Sequence, residues 1–311
     1  MSTLPFVDAA TLDELVPPAA AVAALEQTLR REPPAAPLRT HLDAPSGDLL
    51  VMPYASKIGV GVKLVGVCPG NAERGLPLIH GLYVAFDPET MAPRALIDGA
   101  ALTTARTAAV SALASKLLAR ADSRQLVLFG AGAQAHGHLH ALRAVLPLEE
   151  VTVVSRSPAP AEALVDVARG LGLSARTASP AAVASADIVC TCTTSPTPVF
   201  DGDLLPAGVH VNAVGAFRPD QRELDDTTLR RGRLVVDTAQ GAFAEAGELV
   251  LGLASGALRE QDVEGELADV VRGRVRRADD AEITVFKSVG DALQDAAVAA
   301  AVVAALTGTE R

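Results

Sequence analysis

Residues 125–142 read QLVLFGAGAQAHGHLHAL. An apolar run, Leu126 to Phe129, enters a turn with glycines at Gly130 and Gly132 and continues into a helix-compatible segment. A strand–turn–helix of this kind points backbone N–H groups and the positive end of the helix dipole at one spot, where a pyrophosphate can sit. A side chain at Gly130 or Gly132 would keep phosphate oxygens away from that backbone. Ala135 supplies the small third residue where helix and strand pack closely. An ordinary tight turn in an Ala- and Gly-rich chain shows the same GxGxxA spacing, so the flanking pattern has to decide.

Downstream, the pattern alternates. Strand candidates at Gln125–Phe129, Val151–Val154, Asp187–Cys192, Val209–Val214 and Leu234–Val236 are separated by helical stretches at Ala133–Val145, Pro160–Leu171, Pro180–Ala184 and Asp225–Arg230. Such alternation implies an α/β, doubly wound parallel sheet, the dinucleotide-binding Rossmann arrangement. The second strand, VTVV, runs into Ser155-Arg156-Ser157, with no acid before Glu162. An acid there would accept from a ribose 2′-OH and repel a 2′-phosphate, whereas a guanidinium flanked by hydroxyls suits the phosphate. NADP(H) is therefore expected over NAD(H). The candidate cofactor-binding residues are Gly130, Gly132, Ala133, Gln134, Ala135, Ser155, Arg156, Ser157, Thr193, Thr194 and Val214, with Thr107 upstream and Ser195 and Asn212 as neighbours.

Upstream, residues 3–32 carry a helical pattern ended by Pro33, Pro34 and Pro37. Strand candidates at Leu49–Met52, Gly59–Val67, Gly81–Phe86 and Pro93–Ile97 suggest a mainly antiparallel sheet. Thr103–Ala121 reads as a helix with Thr103 or Thr104 as N-cap, which places Arg106 in its first turn against the dipole. Beyond the apolar stretch Ile283–Ser288, a helix over Asp291–Leu306 adds no new strand and is expected to pack on the N-terminal part. The expected domains are 1–118 with 289–311, a discontinuous α+β substrate-binding and dimerisation domain, and 119–288, the Rossmann domain.

The formal net charge of −10 argues against partners such as nucleic acid or an anionic membrane, so an anionic ligand needs local cations. Three cysteines make no disulfide framework, and Cys190-Thr191-Cys192 lacks C-x-x-C spacing. No basic segment followed by an apolar one opens the chain, and Ala296–Leu306 is too short to span a bilayer. A cytoplasmic protein is expected. His136 and His140 have metal-capable spacing but no HExxH glutamate or evident third ligand, so no metal is expected.

Several segments together resemble the ornithine cyclodeaminase/mu-crystallin family: GVKLVGVCPGN (61–71), DGAALTTARTAAVSALASKLLA (98–119), GAGAQA (130–135), VNAVGAFRPDQRELDD (211–226) and FKSVGDALQD (286–295). The resemblance implies a homodimer in which the first domain's sheet joins its partner's to close a barrel, and to which the last helix returns. It also implies that cations hold a substrate α-carboxylate between the domains, here Arg39, Lys63 and Arg106. The sequence departs from the cyclodeaminase pattern at one point. Cyclodeaminases carry an Asp two residues after the glycine of NAVG and a Lys four residues further on, where this chain has Phe217 and Gln221. Neither ionises, so neither serves as general base. GAFRPDQRELDD resembles the mu-crystallin and ketimine-reductase branch instead.

A carboxylate site without a strong base favours reduction of a C=N bond already polarised by protonation. The expected activity is NADPH-dependent reduction of a cyclic ketimine such as Δ1-pyrroline-2-carboxylate or Δ1-piperideine-2-carboxylate. Arg39, Lys63 and Arg106 would hold the carboxylate, with Lys63 also near the imine, and Lys63 and Arg106 are the catalytic candidates. Phe217 would shape the wall, and His80 is a possible proton donor. An amino-acid dehydrogenase, a non-catalytic NADPH-dependent ligand-binding protein and a cyclodeaminase without its acid remain as alternatives.

Overall fold

The computed structural model describes residues 4–309. They form two compact units, one made of the residues up to Arg106 and from Asp291 onward, the other Thr107–Gly290.

In the first unit, strand β1 (Phe6–Val7) leads into helices α1 (Ala9–Leu15) and α2 (Pro18–Arg30). The single helical pattern expected over residues 3–32 is therefore corrected to a strand and two helices. Pro18 opens α2 at a first-turn position that needs no N–H. Five further strands follow: β2 (Thr40–Ala44), β3 (Gly47–Ala55), β4 (Val60–Val67), β5 (Ile79–Phe86) and β6 (Pro93–Asp98). The sheet order is β1-β6-β5-β4-β3-β2, antiparallel except for the β1–β6 pair. Helix α3 (Gly99–Leu118) comes next, and α10 (Ala292–Thr309) ends the described chain.

Alternation along the strands gives this sheet two unlike faces. One carries Leu50, Met52, Tyr54, Lys63, Val65, Tyr83, Ala85 and Ile97, all buried, and α10 packs on the sheet with α2 beside it. Along α10, Ala292, Asp295, Ala296, Ala299 and Val302 recur at helical spacing and are buried, so one charge stands inside an apolar stripe. The other face carries Leu42, Leu49, Leu64 and Leu82, between 37% and 48% exposed.

The boundary between units falls inside α3, after Arg106, whereas the sequence reading keeps the whole helix with the first domain. The helix begins at Gly99, earlier than expected. Asp98 accepts from Ala100 N and Ala101 N at 2.9 and 3.0 Å and so acts as the cap. Thr103 and Thr104 are helix interior instead, their hydroxyls donating to Gly99 O and Ala100 O.

The second unit has strands β7 (Gln125–Phe129), β8 (Glu150–Val154), β9 (Ser174–Thr177), β10 (Ile188–Thr191), β11 (His210–Ala213), β12 (Gly232–Val236), β13 (Val263–Glu266) and β14 (Ile283–Lys287). Helices α4 (Ala133–Val145), α5 (Pro158–Gly170), α6 (Asp226–Arg231), α7 (Ala239–Glu245), α8 (Gly247–Ser255) and α9 (Leu267–Val271) lie between them. Every strand pair is parallel, in the order β13-β12-β14-β11-β10-β7-β8-β9. Val127, Phe129, Val189, Val211, Val236 and Val285 are fully buried in one apolar core. The fold is thus an α/β protein with a doubly wound, Rossmann-like parallel sheet.

Besides β1 and β2, the candidates lack β9 and β13: SART and VEGE are mixed-polarity edge strands with no apolar alternation. Residues 180–185 form 3-10 turns rather than the expected α-helix. The stretch Ile283–Ser288 supplies β14, which inserts between β11 and β12, a placement with no local signal. Among the described residues no helix is long and apolar enough to cross a membrane.

Candidate active site

The glycine turn of the second unit has the shape its sequence requires. Gly130 sits at φ +102°, and a Cβ there would stand 2.7 Å from Cys192 O, so the position excludes any side chain. Gly132 is the N-cap of α4, with open space where its Cβ would be. Ala135, fully buried, lets α4 pack against the sheet. Ala133 and Gln134 open the helix, and the buried Oε1 of Gln134 has no hydrogen-bond partner among the described residues. A bare backbone cradle at a helix N-terminus, with no side chain at Gly130 or Gly132 to block it, fits a dinucleotide pyrophosphate.

At the end of β8, Ser155 is half-buried, while Arg156 and Ser157 are exposed. Ser155 Oγ accepts from Ser157 N at 3.2 Å, and Ser157 is the N-cap of α5 without a side-chain capping bond. Thr107 is buried, Val214 is half-buried with its N–H donated to Thr191 O, and Thr194 is exposed. Thr193 is not available in the way expected. Both its N–H and its hydroxyl donate to Glu223 Oε1 at 2.7 Å. His138, on α4, is a core residue: its ring nitrogens meet Gln134 O and Ser111 Oγ, and burial pushes its pKa down to about 4. Phe217 is half-buried against the apolar core of this unit.

In the first unit, Lys63 and Arg106 come together around a residue not foreseen. Lys63 Nζ lies 2.7 Å from both carboxylate oxygens of Asp295 and donates to Thr103 Oγ1 at 3.2 Å. Arg106 Nε is 3.2 Å from Asp295 Oδ1, and its Nη1 donates to Gln294 Oε1 at 2.9 Å. Lys63 and Asp295 are 1% and 0% exposed. Burial pushes the Lys63 pKa down to about 7; Asp295 opposes that fall, and Arg106 and Arg39 add to it. Arg39 is half-buried and contributes its charge to the same cluster. The expectation of a carboxylate site made of cations alone is corrected, because the Asp295 carboxylate stands at the centre of the cluster. The motif FKSVGDALQD contains Asp295, but only the return of α10 onto the sheet brings it beside Lys63. Arg106 also lies about two turns into its helix rather than in the first.

His80 does not join this cluster. It is exposed and pairs with Gly66, on the open face of the sheet, whereas Lys63 pairs with Tyr83 on the covered face. Its assignment as a proton donor beside Lys63 is withdrawn, since neighbouring strand positions point to opposite faces.

Comparison with known proteins matches nearly the whole chain to one family. The family described as the ornithine cyclodeaminase/mu-crystallin family matches residues 8–310. A Δ(1)-pyrroline-2-carboxylate reductase of Paracoccus denitrificans is 40% identical over 272 residues, 86% of either chain. The solved Δ(1)-pyrroline-2-carboxylate reductase of Thermococcus litoralis, in complex with NADH and L-proline, superposes with a TM-score of 0.94 at 32% identity, over 99% of this chain and 98% of that one. An archaeal alanine dehydrogenase dimer with bound NAD gives 0.92 at 31% identity, over 99% and 97%.

Proposed function

The chain belongs to the ornithine cyclodeaminase/mu-crystallin family, and we propose that within it this protein reduces cyclic ketimines such as Δ1-pyrroline-2-carboxylate or Δ1-piperideine-2-carboxylate to the cyclic amino acid, with NADPH preferred over NADH. The observation that carries this reading is the Lys63–Arg106–Asp295 cluster, in a chain that has the aromatic Phe217 where a cyclodeaminase has its acid.

Arg106 and Arg39 offer guanidinium forks that hold the substrate carboxylate, the stronger geometry for that group. Lys63 holds a proton at Nζ, and a pKa near 7 lets it both carry charge and release that proton to an imine nitrogen at neutral pH. Asp295 keeps Lys63 in place and sustains its charge. When bound, the reduced nicotinamide supplies the hydride for the imine carbon. The residues that would hold the dinucleotide are Gly130, Gly132, Ala133, Gln134 and Ala135 at the pyrophosphate. Ser155, Arg156 and Ser157 would sit at the adenosine end, and Thr107, Thr194 and Val214 beyond the turn.

Preference for the phosphorylated nucleotide rests on Arg156 and on the absence of an acid after β8. The solved reductase and alanine dehydrogenase hold NADH and NAD respectively, so support for the preference comes from this chain's own loop and not from those relatives. A homodimer is supported by the open leucine face of the first sheet, an apolar surface of the kind that marks protein contacts, and by the dimeric state of the alanine dehydrogenase.

That same relative favours a second reading, reductive amination of a 2-oxo acid. Oxidation of NADPH and of NADH, followed with each cyclic imine and with pyruvate plus ammonia, separates the two. Turnover of the imines alone supports the ketimine reductase. Turnover of pyruvate with ammonia alone replaces it with the dehydrogenase, and dinucleotide binding without any turnover leaves a binding protein.

A further inference from the structure

Glu223 lies in the loop between β11 and α6 and is fully buried, yet no step above uses it. Its Oε1 accepts from Thr193 N and Thr193 Oγ1, each at 2.7 Å. Its Oε2 accepts from Gly215 N at 2.7 Å and Thr191 Oγ1 at 2.8 Å. One carboxylate therefore ties the segment after β10 to the segment after β11. Its own N–H donates to Glu248 Oε1 at 2.8 Å, and Glu248 Oε2 is 2.8 Å from Lys287 Nζ, which also donates to Ala216 O at 2.5 Å. Glu248 and Lys287 are likewise fully buried.

Burial pushes the Glu223 pKa up, while Lys287 and the Thr193 donors pull against it. An apolar side chain would fill this space without a desolvation penalty but could not receive two backbone N–H groups from two different loops. The place also matters. In a doubly wound sheet the dinucleotide lies across the carboxyl ends of the strands, with the pyrophosphate at the first glycine turn and the two nucleotide halves to either side. Here the adenosine side is β8, so the nicotinamide side is β10 and β11, whose following segments are the two that Glu223 joins. The fit is tight: a Cβ on Gly215 would stand 2.1 Å from Thr193 O and 2.6 Å from Glu223 Oε1. Cys192 O, one residue before Thr193, closes against Gly130 of the phosphate turn.

We infer that Glu223 is a positioning residue that locks the segments after β10 and β11 together as the rest for the nicotinamide half of the dinucleotide. The inference depends on the chain binding a nicotinamide dinucleotide, as proposed above. In Glu223→Gln the side chain keeps its shape, but one oxygen becomes an NH₂ that faces an N–H donor, so one loop loses its acceptor. Thr191→Val is the milder variant, removing a single hydroxyl from Glu223 Oε2.

The test is fluorescence or calorimetric titration of both variants and the wild-type chain. The ligands are NADPH and NADH, and ADP-ribose and its 2′-phosphate, which lack the nicotinamide. The expected result is at least a tenfold weaker dinucleotide for Glu223→Gln, a smaller loss for Thr191→Val, and unchanged affinity for the nicotinamide-free fragments. Equal losses for dinucleotide and fragment, or wild-type affinity for both, overturn the inference. If Glu223→Gln does not fold, Thr191→Val decides by the same comparison. Failure of the wild-type chain to bind any dinucleotide removes the function reading and this inference with it, and that arm is read before the variants.

Discussion

Asp295 holds Lys63 from the opposite end of the chain: both carboxylate oxygens lie 2.7 Å from Nζ, although 232 positions separate the two residues. Both are buried, so the pair is an ion pair out of water, and Arg106 at 3.2 Å makes it a triad with two cations and one anion. Removing the anion leaves two buried cations facing each other.

Asp295→Asn is accordingly expected to lower stability by about 3–5 kcal/mol, the range for breaking one side of a buried ion pair. Chemical denaturation measures it. The double variant Lys63→Met with Asp295→Asn is expected to be less destabilised than the sum of the two single changes, because the groups couple directly. Additive losses would show that the pair does not act as a unit.

The pH dependence follows from Lys63. Burial is the main cause of its lowered pKa, with Arg106 and Arg39 acting in the same direction and Asp295 against them. The polar groups facing it are Thr103 and Arg106 from α3, Asp295 from α10 and, as register partner, Tyr83 from β5. The protonated form predominates below about 7 and is the one that donates. So kcat/KM is expected to hold level on the acid side and to fall by roughly tenfold per pH unit once the pH is well above that value. Lys63→Arg stays protonated throughout, and its profile should lose this limb whatever its absolute rate. A limb that survives the substitution belongs to another group.

Arg156→Ala should separate the two nucleotides. Loss of a charge-assisted contact to a 2′-phosphate costs about 1.5–3 kcal/mol, roughly 10- to 150-fold in affinity. NADPH binding is expected to weaken by that factor while NADH binding stays the same. Equal affinities for the two nucleotides in the wild-type chain would refute the preference.

Gly130→Ala tests the phosphate turn. The residue combines φ +102° with a Cβ position 2.7 Å from Cys192 O, so even a methyl group forces backbone movement. A stability loss of about 1–3 kcal/mol is expected, together with weakened binding of ADP-ribose. Gly132→Ala, where the Cβ would meet open space, should be milder in stability but should still weaken the nucleotide.

The open face of the first sheet gives the last test. Leu64 and Leu82 pair directly across β4 and β5 and are 37% and 41% exposed. Leu64→Asp combined with Leu82→Lys should leave the chain folded and shift it from dimer to monomer in sedimentation. A wild-type chain that sediments as a monomer would remove the dimer proposal.

Local pattern carried most of the fold. The alternation of short apolar strands with helices was enough for the parallel sheet, and β7 and α4 stand at the residues read from sequence, because periodicity and turn residues act within a few positions of one another. The glycine turn was legible for the same reason: Gly130 and Gly132 are demanded by backbone geometry that the neighbouring residues already set. What the sequence could not show were relationships closed by distant segments. It contained Asp295, Glu223, Glu248 and Lys287 without marking them, since an acid at the end of FKSVGDALQD or inside RELDD looks like any solvated charge until its surroundings are known. His80 was misplaced because strand parity relative to the covering helix is decided by α10, which no residue near His80 encodes. By itself the sequence determined the alternating frame of the second unit and the nucleotide turn, and it offered Lys63 and Arg106 among its cations. The tertiary structure alone decided which charges are buried and paired, because burial and ion pairing depend on segments that meet only when α10 and β14 return to sheets laid down much earlier in the chain.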